Sequence, residues 1–277
     1  MIRTAALLLT VFNRKTKTLA CLDRVFRQID GMRSDERYAF AVYMVDDGST
    51  DGTGEAVSEL YPQVNIIKAG GNLYWNQGMR RAWDEAAKSN FDFYIWLNDD
   101  TLIEDGALAT LMETSEFLRH KSIVVGTARA AKGDISYGGR TKSNKIIEPD
   151  PAIPRSCHMF NGNLVLIPKA VYAAVGNLSA AYRHSFGDYD YGLRARKAGF
   201  SCVVAPGYLA VCDRASGLAP WRDSRYPLKK RYAFLSSPKG RPAKEQFLFD
   251  CRLRGFFFAI GHFISLNFKV LFPKKSK

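Results

Sequence analysis

The sequence predicts an α/β fold built on a mostly parallel sheet with helices on both faces. Three observations carry that reading: short runs that are apolar nearly throughout, stretches of helical spacing between them, and acidic residues where the runs end. The runs at 5–12, 38–45, 64–69, 93–97 and 123–127 are the expected strands, because a strand covered on both faces has no polar side to show. Between them, 16–28, 52–60, 77–88 and 104–118 carry helical periodicity and good helix formers. Repeated strand–helix units favour parallel pairing, and ligands in such sheets lie at the carboxyl ends of the strands. The first apolar run lacks a small-residue cleavage site and leads straight into Asn13 and Arg14, so it reads as a buried strand and not as a signal segment.

Beyond residue 130 the pattern loosens. Short segments at 135–137 and 145–147 precede a Pro-rich stretch at 149–154 and an apolar strand at 164–167. Residues 187–199 read as a helix with an acidic first turn, ended by Gly199, and 201–205 as another strand. No repeat or flexible linker divides 1–220, which is expected to form one body, with 221–277 as a separate helical extension.

Composition narrows the function classes. Hydrophobic residues at 47% and charged residues at 24% exclude a disordered chain or a fibre. The net charge of +13 is concentrated at the end: 221–277 holds 14 Lys and Arg against 3 Asp and Glu, which calls for an anionic partner. The five cysteines are scattered, form no CxxC and are odd in number, which argues against a disulfide framework or a zinc ribbon and for a reducing compartment. No P-loop or GxGxxG is present, and the segment from Asp47 fails as a calcium loop because Ser58 stands where a bidentate Glu is needed.

What remains is carboxylates at strand ends. The second strand runs into Asp46-Asp47-Gly48-Ser49-Thr50-Asp51-Gly52, and the fourth into Asn98-Asp99-Asp100-Thr101. Alone, either would serve as a turn and helix cap. Two acidic ends in one parallel sheet face a common crevice, where carboxylates suit Mg or Mn together with diphosphate oxygens.

These segments, with Thr10-Val11-Phe12-Asn13-Arg14 before them and the Gly187–Gly199 run (GDYDYGLRARKAG) after them, occur in the order and spacing of glycosyltransferase family 2, which the chain resembles over about residues 4–215. The resemblance implies a GT-A fold and an inverting enzyme that takes a nucleotide-sugar donor, UDP- or dTDP-linked in preference, and builds bacterial surface polysaccharide of O-antigen or capsule type. It implies that 1–130 binds the nucleotide-sugar and 131–220 carries the acceptor side and the base. Position by position, Thr10 and Asn13 would border the nucleotide, Asp46 would contact the base or ribose, and Gly71, Asn72 and Asn76 would line nucleotide and sugar. Asn98, Asp99 and Asp100 stand at the family's DxD motif, with Asp100 holding Mg or Mn. Asn98 replaces the more frequent first Asp, so it can bond a ribose hydroxyl but cannot be a second carboxylate ligand.

In the acidic base motif Gly187 replaces the usual Glu, while Asp188, Asp190 and Arg194 remain. Asp188 is the expected catalytic base, with Asp190 the alternative, taking the proton of the acceptor hydroxyl as it attacks the anomeric carbon. Outside this context Asp190 and Arg194 would be an ordinary helical ion pair. The His that closes the metal site in many relatives is missing from 208–216, where Asp213 is the expected substitute and Arg214 a candidate diphosphate contact. His184 has two readings, an acceptor or phosphate contact and an incidental surface residue, of which the second is the commoner.

In the extension, residues 255–268 are uncharged for 14 positions, short of the ~20 a spanning helix needs. His262, Ser265 and Lys269 fall at helical spacing and leave Phe, Ile and Leu to the other faces. The expected partner is an anionic membrane surface, reached by an interfacial helix with a polybasic flank, which would place the enzyme on the cytoplasmic face of the membrane beside a lipid-linked acceptor. The alternative is a helix packed on the catalytic body. Nucleic acid is not expected, because the Phe and Ile residues are consecutive and not singly exposed. The competing functions are a metal-dependent nucleotidyltransferase and a non-catalytic membrane or nucleic-acid binding module. The sequence leaves sugar, linkage and oligomeric state open.

Overall fold

The computed structural model describes residues 2–32, 36–214 and 217–273. The first half runs β1 (Arg3–Val11), α1 (Lys15–Gly31), β2 (Tyr38–Asp46), α2 (Thr53–Leu60), β3 (Val64–Lys68), α3 (Tyr74–Ala87), β4 (Phe93–Leu97), β5 (Leu102–Ile103), α4 (Ala107–Phe117) and β6 (Ser122–Arg129). The second continues with β7 (Ile135–Tyr137), β8 (Gly139–Arg140), β9 (Arg155–Cys157), β10 (Met159–Phe160), β11 (Leu164–Pro168), α5 (Lys169–Val175), α6 (Gly187–Lys197) and β12 (Ser201–Val211). A 3-10 turn at Pro220–Arg222 then leads to α7 (Leu228–Ser236), α8 (Ala243–Arg254) and α9 (Phe256–Leu271).

One sheet organises the molecule, in the order β3-β2-β1-β4-β11-β6-β12-β5, with β7 and β9 joined at β6 and β12. Side chains of β1 alternate between two cores, as the strand period requires. Ala5, Leu7, Leu9 and Val11 meet Leu22 and Val25 of α1, Val57 of α2 and Leu111 of α4. Ala6 and Leu8 meet Met79 and Trp83 of α3, Val171 of α5 and Tyr191 of α6. The expected mostly parallel sheet with helices on both faces is therefore present.

The structure differs from the expectation at one place that matters for the site. Between β4 and β6 lies β11, antiparallel to both. Apolar runs do not encode direction, so the sequence pattern could not show it. Because β11 runs backwards, its beginning and not its end lies at the carboxyl edge: Leu164 pairs with Leu97. The ends of β1 and β2 are level with each other there, Val11 beside Asp46, and β1 and β4 run parallel, Leu8 beside Trp96. Loops from opposite halves of the chain thus converge on one rim. Smaller differences are at element ends: α3 begins at Tyr74, in a left-handed conformation at φ 56°, and α4 begins at Ala107, because the Glu104 N–H still bonds to Leu209 of the sheet at 2.8 Å and Gly106 is left-handed at φ 77°.

The extension is helical among its described residues, and residues 274–277, with the last lysines, lie outside them. Helix α8 packs on the body: Phe249 stacks on Phe186 at 5.0 Å, Glu245 pairs with Arg183 at 3.1 Å and Arg252 with Asp190 at 2.6 Å. Helix α9 rests on α7 and α8 through Ala259, Leu266 and Val270. Its polar groups turn inward, His262 to Asp250 at 2.7 Å and Asn267 to the Tyr232 hydroxyl at 3.4 Å. Its large apolar groups turn outward, with Phe257 87% and Ile264 62% exposed. Among the described residues no helix is long and apolar enough to cross a membrane.

Helices α3 and α6 touch where a side chain is missing. A Cβ on Gly187 would collide with the Asn76 amide, which is itself fully buried and donates to the Ser179 and Tyr182 carbonyls at 2.9 and 2.6 Å. This accounts for glycine where the family motif usually has Glu. Gly187→Ala is expected to lower stability by about 1–3 kcal/mol through overpacking. In an Asn76→Ala background the same change is expected to cost less than about 1 kcal/mol, because the colliding amide is gone. Urea unfolding of the four proteins in this cycle checks it.

Candidate functional site

Two cavities open at the carboxyl edge and share the walls Trp75, Asn98 and His184. The wider, of about 450 Å³, is lined by Thr10, Phe12, Arg14, Asp47, Gly71, Tyr74, Asp99 and Asp100, and by Lys239 from the extension. The narrower, of about 380 Å³, is lined by Tyr137, Asn161, Gly162, Asn163, Asp188 and Tyr189, and by Arg241 from the extension.

Strand parity decides that Asp47 and not Asp46 faces the wider cavity, and splits Asn98 from Asp99. Val42 and Met44 of β2 look toward α1 and α2, so Asp46 does as well; it accepts the Ser49 N–H at 2.9 Å and lies tight against Gly54. Asp47 looks the other way and accepts the N–H groups of Gly71, Leu73 and Tyr74 at 2.9, 2.8 and 3.1 Å, shaping the loop that enters α3. After β4 the same alternation sends Asn98 toward α3, where the Trp75 indole donates to its amide oxygen at 2.7 Å. It sends Asp99 toward α1, where it is buried beside Thr18.

Arg14 bridges the adjacent carboxylates, one guanidinium nitrogen lying 3.0 Å from Asp99 and 2.7 Å from Asp100. Burial pushes the Asp99 carboxyl up to about 6, and the neighbouring Asp100 charge adds to this against the attraction of Arg14. Burial alone would lower the Arg14 pKa, but the two carboxylates outweigh it and raise it. Among the described residues no three His, Cys, Asp or Glu side chains are grouped to hold a metal ion. One or two carboxylates with substrate phosphates are, however, a common way to hold Mg or Mn. Asp99 and Asp100, whose carboxylates both reach one Arg14 nitrogen, fit that minimum. Asp213 does not join them, because its carboxylate accepts the Ala131 N–H at 2.9 Å.

In the narrower cavity the Asp188 carboxylate accepts the Gly162 N–H at 2.9 Å and the Tyr189 N–H at 2.8 Å. Burial pushes its pKa up to about 6, opposed by those two N–H groups and by the charge of Arg140. Asp190 is placed differently. It is fully buried and surrounded by Arg194 at 2.9 Å, Arg252 at 2.6 Å and the Tyr182 hydroxyl at 3.1 Å, and it lines neither cavity. The structure thus separates the two base candidates: Asp188 faces open space and Asp190 joins α6 to α8.

Of the other expected residues, Thr10 and Gly71 line the wider cavity. Asn13, at φ 51°, instead staples the loops after β1 and β2, accepting the Thr50 N–H at 2.7 Å and donating its own N–H to Ser49 at 3.0 Å. Asn72 is exposed and Asn76 lies beneath the site, so neither lines a cavity. Sequence reasoning missed Asp47, Arg14, Trp75, Lys239 and Arg241. Parity along β2 was a usable signal for Asp47, whereas nothing local marked the others. His184 lies at the junction of the cavities with its Nδ1 buried and unpartnered, and burial lowers it to about 4, so the ring is neutral at neutral pH.

Comparison with known proteins adds relatives. A model of the glycosyl transferase family 2 matches residues 7–189. The chain is 22% identical over 231 residues to N-acetylglucosaminyl-diphospho-decaprenol L-rhamnosyltransferase of Mycobacterium tuberculosis, covering 71% of this chain and 74% of that one. Its fold is similar to Staphylococcus aureus TarS with UDP-GlcNAc, at TM-score 0.60, 12% identity, and coverage of 96% and 81% of the two chains. It is also similar to the Pyrobaculum calidifontis mannosyltransferase PcManGT with GDP-Man and Mn2+, at TM-score 0.57, 17% identity, and coverage of 95% and 73%.

A raised carboxyl makes a definite stability prediction. The native Asp188 binds more protons than the unfolded chain between about pH 4 and 6, so stability falls as pH rises through that window. Asp188→Asn is therefore expected to raise Tm by about 2–4 °C at pH 7 and by much less at pH 4.5. Asp190→Ala is expected to do the opposite and cost about 3 kcal/mol, since it strands two arginines. Calorimetric melting at the two pH values separates these cases.

Proposed function

Because the chain belongs to glycosyltransferase family 2 and has its GT-A fold, we propose that it transfers a sugar with inversion from a nucleotide-diphosphate donor in the wider cavity to an acceptor hydroxyl in the narrower one. The observation that carries this reading is the placement of Asp188 in a cavity that shares Trp75, Asn98 and His184 with the one holding the carboxylate pair. Asp188 takes the acceptor hydroxyl proton as its oxygen attacks the anomeric carbon. The bond to the diphosphate breaks on the opposite face, and the electron pair leaves with the diphosphate. Arg14 and Lys239 stand where they offset the charge that develops on the leaving group. Asp100, with Asp99, would hold a Mg or Mn ion, which when bound supplies further charge neutralisation at the diphosphate.

The donor we favour is a UDP- or dTDP-sugar. The name of the mycobacterial relative supports transfer of a hexose or deoxyhexose to a diphosphate-linked lipid saccharide, in bacterial surface polysaccharide synthesis. A lipid acceptor also gives α9 a role. A helix with inward polar groups and outward Phe and Ile, on a basic extension, suits insertion into an anionic cytoplasmic leaflet.

Thermal shift with UDP, dTDP, GDP, CMP and ATP, each with Mn, Mg or EDTA, tests the donor site. One nucleoside diphosphate is expected to raise Tm only with metal, and Asp100→Asn to lose that rise. A response to ATP alone would instead indicate nucleotidyl transfer. In transfer assays Asp188→Asn should cost about 10²–10⁴ in kcat. The wild-type rate should rise through an acid limb near pH 6, since the base must be ionised, and product NMR should show the inverted anomer. Separately, a Phe257→Asp, Ile264→Asp double variant is expected to stop co-sedimenting with phosphatidylglycerol vesicles while melting like the wild type.

A further inference from the structure

We propose that the narrower cavity is built for an acceptor that carries a phosphate or diphosphate, and that Arg140, Arg214 and Arg241 recognise that group. The proposal rests on the reading of this cavity as the acceptor side. Most arginines around the site have a carboxylate of their own: Arg183 pairs with Glu245, and Arg194 and Arg252 share Asp190. These three do not. Among the described residues none of them has an Asp or Glu oxygen within 4.0 Å.

They come from unconnected parts of the chain, yet Arg140 and Arg214 lie over the two tyrosines of one cavity and Arg241 lines it. Arg140, on β8, lies 6.0 Å from the centre of the Tyr189 ring; its Nε donates to the Asn161 amide oxygen at 3.0 Å and one terminal nitrogen to the Asn144 carbonyl at 3.0 Å, both neutral acceptors. Arg214, after β12, lies 5.4 Å from the centre of the Tyr137 ring. Arg241, between α7 and α8, lines the cavity itself and donates to the Gln246 side-chain oxygen at 2.9 Å. The carboxylate lining this space is that of Asp188, which the proposed reaction needs free.

Holding the half-buried Arg140 and Arg241 guanidinium groups away from any carboxylate is unfavourable unless an anion completes them. Burial accordingly pulls the Arg241 pKa below its ordinary value. A neutral sugar offers nothing to offset this. A phosphate does, because its oxygens match the planar donor forks of arginine and accept from several at once. Arg140 would also favour the ionised form of Asp188, so an anionic acceptor and the proposed base are served by the same charge.

The experiment is isothermal titration, with no nucleotide present, of two compounds that share one terminal sugar. One is decyl-diphosphate-linked N-acetylglucosamine, and the other is the neutral decyl N-acetylglucosaminide. Wild type should bind the diphosphate compound at least about 100-fold tighter. Arg241→Gln and Arg214→Gln should each weaken that compound by about 10-fold and change the neutral one by less than about 2-fold, with Arg241→Lys in between. The Tm rise given by the nucleoside diphosphate should match wild type in each variant, which shows the fold and the wider cavity intact. Arg214 is exposed, so its variant keeps the test decisive if Arg241→Gln fails to fold. Equal wild-type affinity for both compounds, or equal weakening of both by the substitutions, overturns the proposal. Arginine-dependent binding with no sugar transfer from any donor would leave it standing and overturn the transferase reading. Transfer to both compounds without arginine dependence would do the reverse.

Discussion

The close approach of α3 and α6 at the rim of the sheet is the constraint on which the site depends, and it is possible only because two residues lack side chains. A Cβ on Gly162 would come within 2.6 Å of the Trp75 ring, and one on Gly187 would strike Asn76. Removing both lets Trp75 reach the Asn98 amide while the Gly162 N–H reaches Asp188. The placement of Asp188 relative to Asp99 and Asp100 is thereby tied to the backbone packing of these elements. The proposed displacement at a sugar carbon would depend on it, because small misplacements of reacting groups are costly.

Charge is distributed around this joint so that each acid has a distinct state. Asp47 is spent on three backbone N–H groups and holds a loop. Asp99 and Asp100 share Arg14. Asp190 is enclosed by two arginines, and Asp188 keeps only backbone donors and faces open space. Five acids of one chemical type thus do four different things, and the difference lies in the number and kind of donors that each one faces.

The extension belongs to this arrangement. Arg252 and Glu245 of α8 fasten it to α6 and to the loop before α6, while Lys239 and Arg241 reach the two cavities. The same helices carry the outward apolar face of α9.

The long strands, the helices between them and the layering were legible in the sequence, because burial on two faces or one imposes a periodicity that such a segment shows by itself, whereas the short β5, β8, β9 and β10 and the helix α5 were not. The glycosyltransferase 2 motifs were legible too, as ordered strand ends. What only the tertiary structure decided was direction and company. The reversed β11 brings Asn161, Gly162 and Asn163 to the rim, and an apolar run looks the same in either direction. Asp188 and Asp190 are two residues apart on one helix, but only the packing of α8 closes over one and leaves the other open. Arg241 lies in a basic segment that composition assigns to a surface, and it becomes a cavity wall because Phe249 and Arg252 dock that segment on the body. A local pattern records what each residue does to its neighbours in the chain. Which distant groups share its solvent and its charge is set by the long-range packing that the pattern does not contain.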